Sequence, residues 1–285
     1  MALMASSAAQ FEARGGEGIS LACYRYGTGA TVVVGVHGLG GEGDVFADLF
    51  TRHLPSDVGG VSFDLRGHGA SEKPDLMSAY GDGMLWAGDL HGVLHEVRAE
   101  RVVLVGWSLG AMVIGDYLSH YGDDRIDGIV LVGPAYSIGN ERAKSMAGRE
   151  FMLALSRYLT DEEDVDALAL FAEVVTDPFD DRRVRAQLEA AAGRVPLVAR
   201  KGIFSRARSV LDAYGMCTVP TLVVHGIHDA VVDPRSSLEA ESHTNTVVKL
   251  IEDAGHAPFL SDPDRFGLWL DRFLQVVVAE GYWGN

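Results

Sequence analysis

The segment at residues 106–110 has the pattern G-x-S-x-G, with Ser108 at its centre. A buried strand is predicted directly before this segment and a helix directly after it, which is the context of a nucleophile elbow. In such a turn the serine hydroxyl projects above the edge of a sheet, and the N–H group of Leu109 is free to donate. The pattern therefore predicts that Ser108 is a nucleophile.

A serine hydroxyl needs a base, and Asp229 and His256 follow two later predicted strands. A neutral imidazole accepts the hydroxyl proton near pH 7, and a buried carboxylate fixes the imidazole tautomer and stabilises the imidazolium. Asp233 and Asp253 compete for the role of the acid. Asp233, however, lies at the start of the next predicted helix, and Asp253 is too close in sequence to His256 to reach behind its ring. Asp229 is therefore the predicted acid, and the order serine, acid, histidine is a known triad order.

A glycine-rich loop at residues 37–41 follows another predicted strand. Its backbone can approach a ligand closely, so the N–H groups of Leu39 and Leu109 are predicted to hold the oxyanion of a tetrahedral intermediate. One such donor typically lowers the barrier by about 3 kcal/mol. His37 is predicted to bond within the loop rather than to act as a base. His225, His228 and His68 are predicted to be loop or core histidines.

The same loop supports a second hypothesis. Gly38, Gly40 and Gly43 form G-x-G-x-x-G between a predicted strand and a predicted helix. Asp64 ends the next predicted strand about 20 residues later, as in dinucleotide-binding sites. A dinucleotide-binding oxidoreductase is therefore a remote alternative, because it leaves the segment around Ser108 without a role.

The elements that position these residues alternate between strands and helices. The predicted strands are residues 19–26, 31–36, 58–64, 101–106, 126–132, 221–225 and 246–251. The predicted helices between and after them are residues 44–53, 82–97, 109–121, 234–242 and 264–279. This alternation predicts an α/β fold with a parallel sheet and helices on both faces. In such sheets ligand sites lie beyond the carboxyl ends of strands, where the candidate residues fall.

The pattern changes in the middle of the chain, where no strand is predicted. We therefore expect a core domain of residues 1–135 and 213–285, and an all-helical cap of residues 136–212. Within the cap, Thr160 and Glu163 have the spacing of a capping box, which predicts that a helix begins at Thr160.

Several apolar residues are candidates for contact with a substrate. They are Trp107, Phe46, Tyr136, Val231 and Phe259, together with the cap residues Phe151, Met152, Leu155, Tyr158 and Phe171. The cap is expected to shape the pocket and to exclude water. For each of these residues, packing in the core is the alternative to substrate contact.

Composition limits the partners of this chain of 285 residues. Its net charge of −16 predicts no nucleic acid and no membrane as a partner. Cys23 and Cys217 do not form a disulfide framework or a metal motif, so reduced thiols and a cytoplasmic location are predicted. Residues 1–11 are predicted to be a disordered leader. The chemistry requires neither a metal nor an organic cofactor, and the sequence does not indicate an oligomeric state.

Five motifs together resemble the α/β-hydrolases. They are residues 37–41, 64–71, 106–110, 226–229 and 255–259. The resemblance implies an eight-stranded, mostly parallel sheet with helices on both faces and an inserted helical cap. Two of the motifs, at 106–110 and 256–259, are similar to those of serine carboxylesterases, enol-lactone hydrolases and cofactor-free haloperoxidases. Ser108 stands where epoxide hydrolases and haloalkane dehalogenases carry aspartate, which makes those two activities unexpected.

The resemblance implies a serine hydrolase that cleaves an ester, thioester or lactone through an acyl-enzyme on Ser108. The expected partner is a small-molecule substrate with a small or medium, largely apolar acyl group. One alternative is a carbon–carbon bond hydrolase that uses the same triad. Another is a ligand receptor that hydrolyses slowly or not at all.

Overall fold

The computed structural model describes residues 8–179, 181–241, 243 and 245–279. The strands are β1 (Ala9–Arg14), β2 (Ser20–Tyr26), β3 (Thr31–Val36), β4 (Val58–Phe63), β5 (Arg101–Trp107), β6 (Gly128–Val132), β7 (Ser137–Ile138), β8 (Arg208–Ser209), β9 (Thr221–Gly226) and β10 (Thr246–Ile251). The helices are α1 (Ala47–Arg52), α2 (Ser78–Gly81), α3 (Gly83–Glu96), α4 (Leu109–Tyr121), α5 (Glu141–Ser145), α6 (Arg149–Tyr158), α7 (Val165–Thr176), α8 (Arg182–Gly193), α9 (Leu197–Phe204), α10 (Leu211–Met216), α11 (Arg235–Ala240), α12 (Pro258–Ser261) and α13 (Pro263–Val278). Short 3-10 turns span Gly16–Gly18 and Gly43–Phe46.

Eight strands form the main sheet in the order β1-β2-β4-β3-β5-β6-β9-β10. Strands β4, β3, β5, β6, β9 and β10 pair in parallel, whereas β1 and β2 run antiparallel to their neighbours. Every residue of β3, β6 and β9 is buried, as expected for parallel strands that helices cover on both faces. The predicted eight-stranded, mostly parallel sheet is confirmed.

Two buried clusters cover the two faces of the sheet. Because side chains alternate along a strand, Leu104 and Val105 of β5 point to opposite faces. Leu104 packs in the cluster that contains Trp86 of α3. Val105 packs in the cluster that contains Leu270 of α13. Helices therefore lie on both faces, and the carboxyl ends of the parallel strands form one open edge.

The predicted disordered leader is wrong from Ala9 onward, because residues 9–14 form strand β1. This strand pairs with β2 along its whole length, and Ala13 is its one buried residue. An edge strand with so little burial lacks the alternation of apolar residues by which strands are predicted. Residues 1–7 of the predicted leader lie outside the described residues.

The segment predicted as an all-helical cap also contains a short ribbon. Strands β7 and β8 pair antiparallel, with Ser137 opposite Ser209. Two residues per strand are too few to produce a recognisable pattern. The helix predicted to begin at Thr160 begins later, because the carboxylate of Asp164 accepts the N–H of Ala167 at 3.0 Å and caps α7. The Thr160 hydroxyl instead donates to the carbonyl of Ser156.

Both cysteines are buried, and neither forms a disulfide. Burial raises the pKa of Cys23 to about 12 and that of Cys217 to about 11, so neither thiol is a nucleophile near neutral pH. No described helix combines the length and the hydropathy that crossing a bilayer requires.

The first turn of α4 touches the end of β3 through a glycine. A Cβ atom on Gly110 would lie 2.0 Å from the carbonyl oxygen of Val36, and neither backbone can easily move. We therefore expect Gly110→Ala to lower the free energy of unfolding by about 3 kcal/mol, the upper end of the usual cost of overpacking. Urea unfolding measures this change.

Gly193→Ala, at the end of α8, is the matched control. There the new Cβ would meet only a methyl group of Leu168, at 3.2 Å. Its free energy of unfolding should stay within about 1 kcal/mol of the wild type. Equal stability of Gly110→Ala and the wild type would contradict the close approach of α4 to β3.

Candidate active site

Ser108 occupies the turn between β5 and α4. Its backbone has φ 53° and ψ −113°, a conformation that residues other than glycine rarely adopt. The turn is tight enough that a Cβ atom on Gly106 would lie 2.6 Å from a methyl of Ile114. The N–H of Ser108 donates to the carbonyl of Val132 at 3.0 Å and ties the turn to β6. Ser108 therefore lies at the open edge of the sheet.

Asp229 and His256 meet at the same edge. Asp229 follows β9 and His256 follows β10, and His256 Nδ1 lies 2.8 Å from Asp229 Oδ2. The other carboxylate oxygen, Oδ1, accepts the N–H groups of Val231 and Val232 at 2.7 and 2.9 Å. Because Nδ1 donates to a carboxylate, the lone pair of the neutral ring lies on Nε2. Among the described residues, Nε2 of His256 has no protein partner.

The Asp229 side chain is ionised although it is buried. Burial disfavours the charge, but the imidazoles of His256 and His225 outweigh it through charge and hydrogen bonds, and they hold the pKa of Asp229 well below its usual range. A fixed negative charge behind His256 stabilises an imidazolium when the ring accepts a proton.

His225 contacts the same carboxylate and was not predicted to do so. Its Nε2 lies 2.8 Å from Asp229 Oδ2 and 3.0 Å from the carbonyl oxygen of Val232, and its Nδ1 lies 2.6 Å from the Ser237 hydroxyl. The sequence gives only a weak indication of this contact: His225 lies near the end of β9, and Asp229 follows four residues later in the loop after that strand. Only the fold of the loop after β9 brings the two side chains together.

The two competing acids lie away from this contact. Asp233 pairs with Arg235, with 2.6 Å between the carboxylate and the guanidinium. Asp253 is exposed on the surface. Of the three candidate acids, the structure brings only Asp229 to His256.

Ser108 and His256 border one small cavity of about 20 Å³, which Trp107 also lines. The indole N–H of Trp107 donates to the backbone carbonyl of His256 at 3.0 Å, so the strand that carries Ser108 also holds the loop of His256. In the described structure the Ser108 hydroxyl and His256 border this cavity without a hydrogen bond between them. Catalytic hydrogen bonds are often long before a substrate binds and tighten in the complex.

The N–H groups of Leu39 and Leu109 have no protein acceptor among the described residues. Both residues line the same cavity as Ser108. Leu109 begins α4, so its N–H also lies at the positive end of the helix dipole. His37 holds the loop of Leu39: its Nδ1 lies 2.8 Å from the carbonyl of Gly38, and its Nε2 accepts the N–H of Leu65 at 2.9 Å.

A cavity of about 350 Å³ opens beside Ser108 under the segment predicted as the cap. A volume of this size suits a small or medium ligand. The predicted contact residues that line it are Tyr136, Val231, Phe151, Met152 and Leu155. Phe171 reaches only the small cavity, whereas Tyr158 stacks on Phe171 with ring centroids 4.7 Å apart.

Phe46 and Phe259 do not line the larger cavity, and Trp107 lines only the small one. Phe46 stacks on Phe259 with ring centroids 5.4 Å apart, and Phe259 packs edge-on against Trp107 at 5.5 Å. Neither residue lines a cavity beside Ser108, so their contact with a substrate stays a prediction. Both are core residues, which have the same apolar signature in a sequence as residues of a cavity wall.

Asp64, which the dinucleotide hypothesis requires for a ribose hydroxyl, is occupied within the protein. Its Oδ1 accepts the N–H of Gly43 at 2.7 Å. Its Oδ2 accepts the N–H of Ala70 at 2.7 Å and the hydroxyl of Tyr24 at 2.9 Å. These bonds fold the glycine-rich loop against the sheet and leave the carboxylate little capacity for a ligand.

Comparison with known proteins agrees with this architecture. The model of the alpha/beta hydrolase family matches residues 33–267. A crystal structure from Burkholderia cenocepacia, assigned provisionally as an aryl esterase, superposes with a TM-score of 0.86 at 28% identity and covers 95% of this chain and 100% of its own. An esterase from Rhodococcus sp. ECU1013 superposes with a TM-score of 0.85 at 29% identity, over 94% of this chain and 99% of its own. The pimeloyl-[acyl-carrier protein] methyl ester esterase of Pectobacterium carotovorum subsp. carotovorum (strain PC1) is 24% identical over 88% of this chain and 96% of its own length.

The buried imidazole of His37 leads us to expect a loss of stability in mild acid. Burial lowers the pKa of His37 from 6.5 to about 4, so the unfolded chain accepts this proton first as the pH falls. As the pH falls from 6.5 to 4, the protonation of His37 in the unfolded chain should therefore lower the free energy of unfolding by about 1.4 kcal/mol for each pH unit. Urea unfolding across this range measures the slope.

His37→Gln should reduce the slope of this part of the profile by about this amount, because glutamine does not titrate. The exposed His120 provides the matched control, and His120→Gln should keep the wild-type slope. A His37→Gln profile parallel to that of the wild type would show that His37 does not contribute to the slope.

Proposed function

The chain belongs to the alpha/beta hydrolase family, and on this premise we propose that it hydrolyses a carboxylic ester, thioester or lactone through an acyl-enzyme on Ser108. His256 is the general base, Asp229 orients and stabilises His256, and the N–H groups of Leu39 and Leu109 form the oxyanion hole. The substrate is a small molecule with a largely apolar acyl group.

One observation carries this proposal. Ser108 has a strained backbone at φ 53°, and it borders the same cavity as His256, whose Nδ1 lies 2.8 Å from Asp229 Oδ2. Strain of this kind costs of order 1–3 kcal/mol, and it persists where the surroundings impose it, often at functional sites. The strained turn places Ser108 in the wall of the cavity rather than among the packed side chains of the core.

Acylation begins when the Ser108 oxygen attacks the carbonyl carbon and Nε2 of His256 takes the hydroxyl proton. The carbonyl oxygen becomes an oxyanion, which the N–H groups of Leu39 and Leu109 stabilise at the positive end of α4. Both donors are free of protein acceptors among the described residues, so no bond has to break before they act.

The imidazolium of His256 then returns the proton to the leaving group, and the tetrahedral intermediate collapses to an ester on Ser108. In the second half, His256 takes a proton from a water molecule, whose oxygen attacks the acyl carbon. As the second tetrahedral intermediate collapses, His256 returns this proton to the Ser108 oxygen and the acid is released. The fixed charge of Asp229 stabilises the imidazolium in both halves.

The cavity and the relatives both support this class of substrate. Phe151, Met152 and Leu155 of α6 face the cavity beside Ser108 and favour an apolar acyl group. The solved structures from Burkholderia cenocepacia and Rhodococcus, at 28% and 29% identity, are assigned as esterases. Esters are therefore the first compounds to test.

Ser108→Ala should abolish hydrolysis of p-nitrophenyl butyrate, with kcat falling on the order of a millionfold, because the base then has no hydroxyl to activate. Steady-state rates with purified protein measure the loss. Ser119→Ala is the matched control, since the Ser119 hydroxyl bonds to the carbonyl of Gly115 within α4. Wild-type rates in Ser108→Ala would contradict the proposal that Ser108 is the nucleophile.

Asp229→Asn should lower kcat by about 10⁴, because an amide holds the imidazole in the wrong tautomer and carries no charge. The control is Asp233→Asn, four residues along the chain, whose carboxylate pairs with Arg235 instead. We expect Asp233→Asn to keep wild-type kcat for p-nitrophenyl butyrate. If both variants lost activity equally, Asp229 would have no special role.

A further inference from the structure

The carboxylate of Asp229 contacts two imidazoles rather than one. His256 Nδ1 and His225 Nε2 each lie 2.8 Å from the same oxygen, Oδ2. Beyond His225, its Nδ1 lies 2.6 Å from the hydroxyl of Ser237. A continuous hydrogen-bonded line therefore runs from Ser237 through His225 and Asp229 to His256.

The contacts of His225 determine where its proton lies. Nε2 faces the ionised Asp229 and the carbonyl of Val232, which only accept, so Nε2 must carry a proton. Ser237 is fully buried, and among the described residues its hydroxyl has only His225 Nδ1 as an acceptor. Ser237 therefore donates to Nδ1, which requires a neutral His225 with its single proton on Nε2.

We propose that His225, oriented by Ser237, is a positioning residue that donates to Asp229 and limits the negative charge that Asp229 presents to His256. A hydrogen bond to a charged group is stronger than one between neutral groups, and it disperses the charge of the acceptor. Without this donor, Asp229 would hold the imidazolium of His256 more strongly. The inference rests on the proposed catalytic function of His256 and Asp229.

Few other charged groups lie along this line. Among the described residues, Asp229 is the titratable group that contacts His225, His256 contacts Asp229 in turn, and Asp233 interacts with His225 at longer range. The Asp233 charge is compensated by Arg235. The charge of Asp229 is therefore the main quantity that His225 can change.

The first test is the pH dependence of kcat/KM for p-nitrophenyl butyrate. In His225→Leu, which has no donor, the acid limb should move to higher pH by about half a unit or more, because Asp229 then presents more negative charge to the base. His225→Gln retains an N–H donor and should return the limb towards the wild type. Ser237→Ala, which frees the orientation of His225, should move the limb in the same direction as His225→Leu.

His228 offers a matched control in the same loop. It is exposed, and its side chain makes no hydrogen bond to a described residue. His228→Leu should leave the acid limb at its wild-type position. If His225→Leu lowered kcat without moving the limb, or if His228→Leu moved it equally, a merely structural role would explain the data and the proposal would be wrong.

The second test does not depend on turnover. Nitrogen-15 NMR of histidine-labelled protein, with His225 assigned by comparison with His225→Gln, should show the proton of His225 on Nε2. A proton on Nδ1, or on both nitrogens at neutral pH, would overturn the proposal even if every variant were active. Conversely, if Ser108→Ala kept full activity, the catalytic proposal would fail while the NMR result still reported on His225.

Discussion

A carboxylate that is buried must be held by hydrogen bonds, because removing its charge from water costs several kcal/mol. Asp229 is this carboxylate, and the site depends on how it is held. Four donors reach it: two backbone N–H groups of its own loop, at Val231 and Val232, and the rings of His225 and His256. The loops after β9 and β10 are thus bound to one oxygen pair, which fixes the imidazole of His256 in place.

The sheet explains how distant segments reach this carboxylate. In the sheet, β6 lies between β5 and β9. Ser108 directly follows β5, and Asp229 lies in the loop after β9. The loop after β10 crosses back towards β5, where the indole of Trp107 holds the carbonyl of His256. The close approach of α4 to β3 at Gly110 fixes the other side of the Ser108 turn. Packing that looks remote from the chemistry therefore sets the relative positions of hydroxyl and imidazole.

The parts that sequence predicts well are those that local patterns encode. Ser108 follows a buried strand rich in valine and is flanked by glycines, so residue type and context agree. Long-range packing is not encoded in this way: nothing in the pattern separates Phe46, a core residue, from Met152, which lines the cavity. The bond of His225 to Asp229 likewise depends on how one loop closes. Strand β1 was missed because an exposed edge needs few apolar residues.

The ribbon of β7 and β8 places the two ends of the intervening segment side by side, with Ser137 opposite Ser209. Loop-closure entropy grows only slowly with length, so residues gained or lost between these strands cost the sheet little. The stretch between the two strands thus leaves and rejoins the rest of the chain at neighbouring points. Substitutions in α6 therefore alter the wall of the cavity beside Ser108, whereas Ser108, Asp229 and His256 themselves lie outside this stretch.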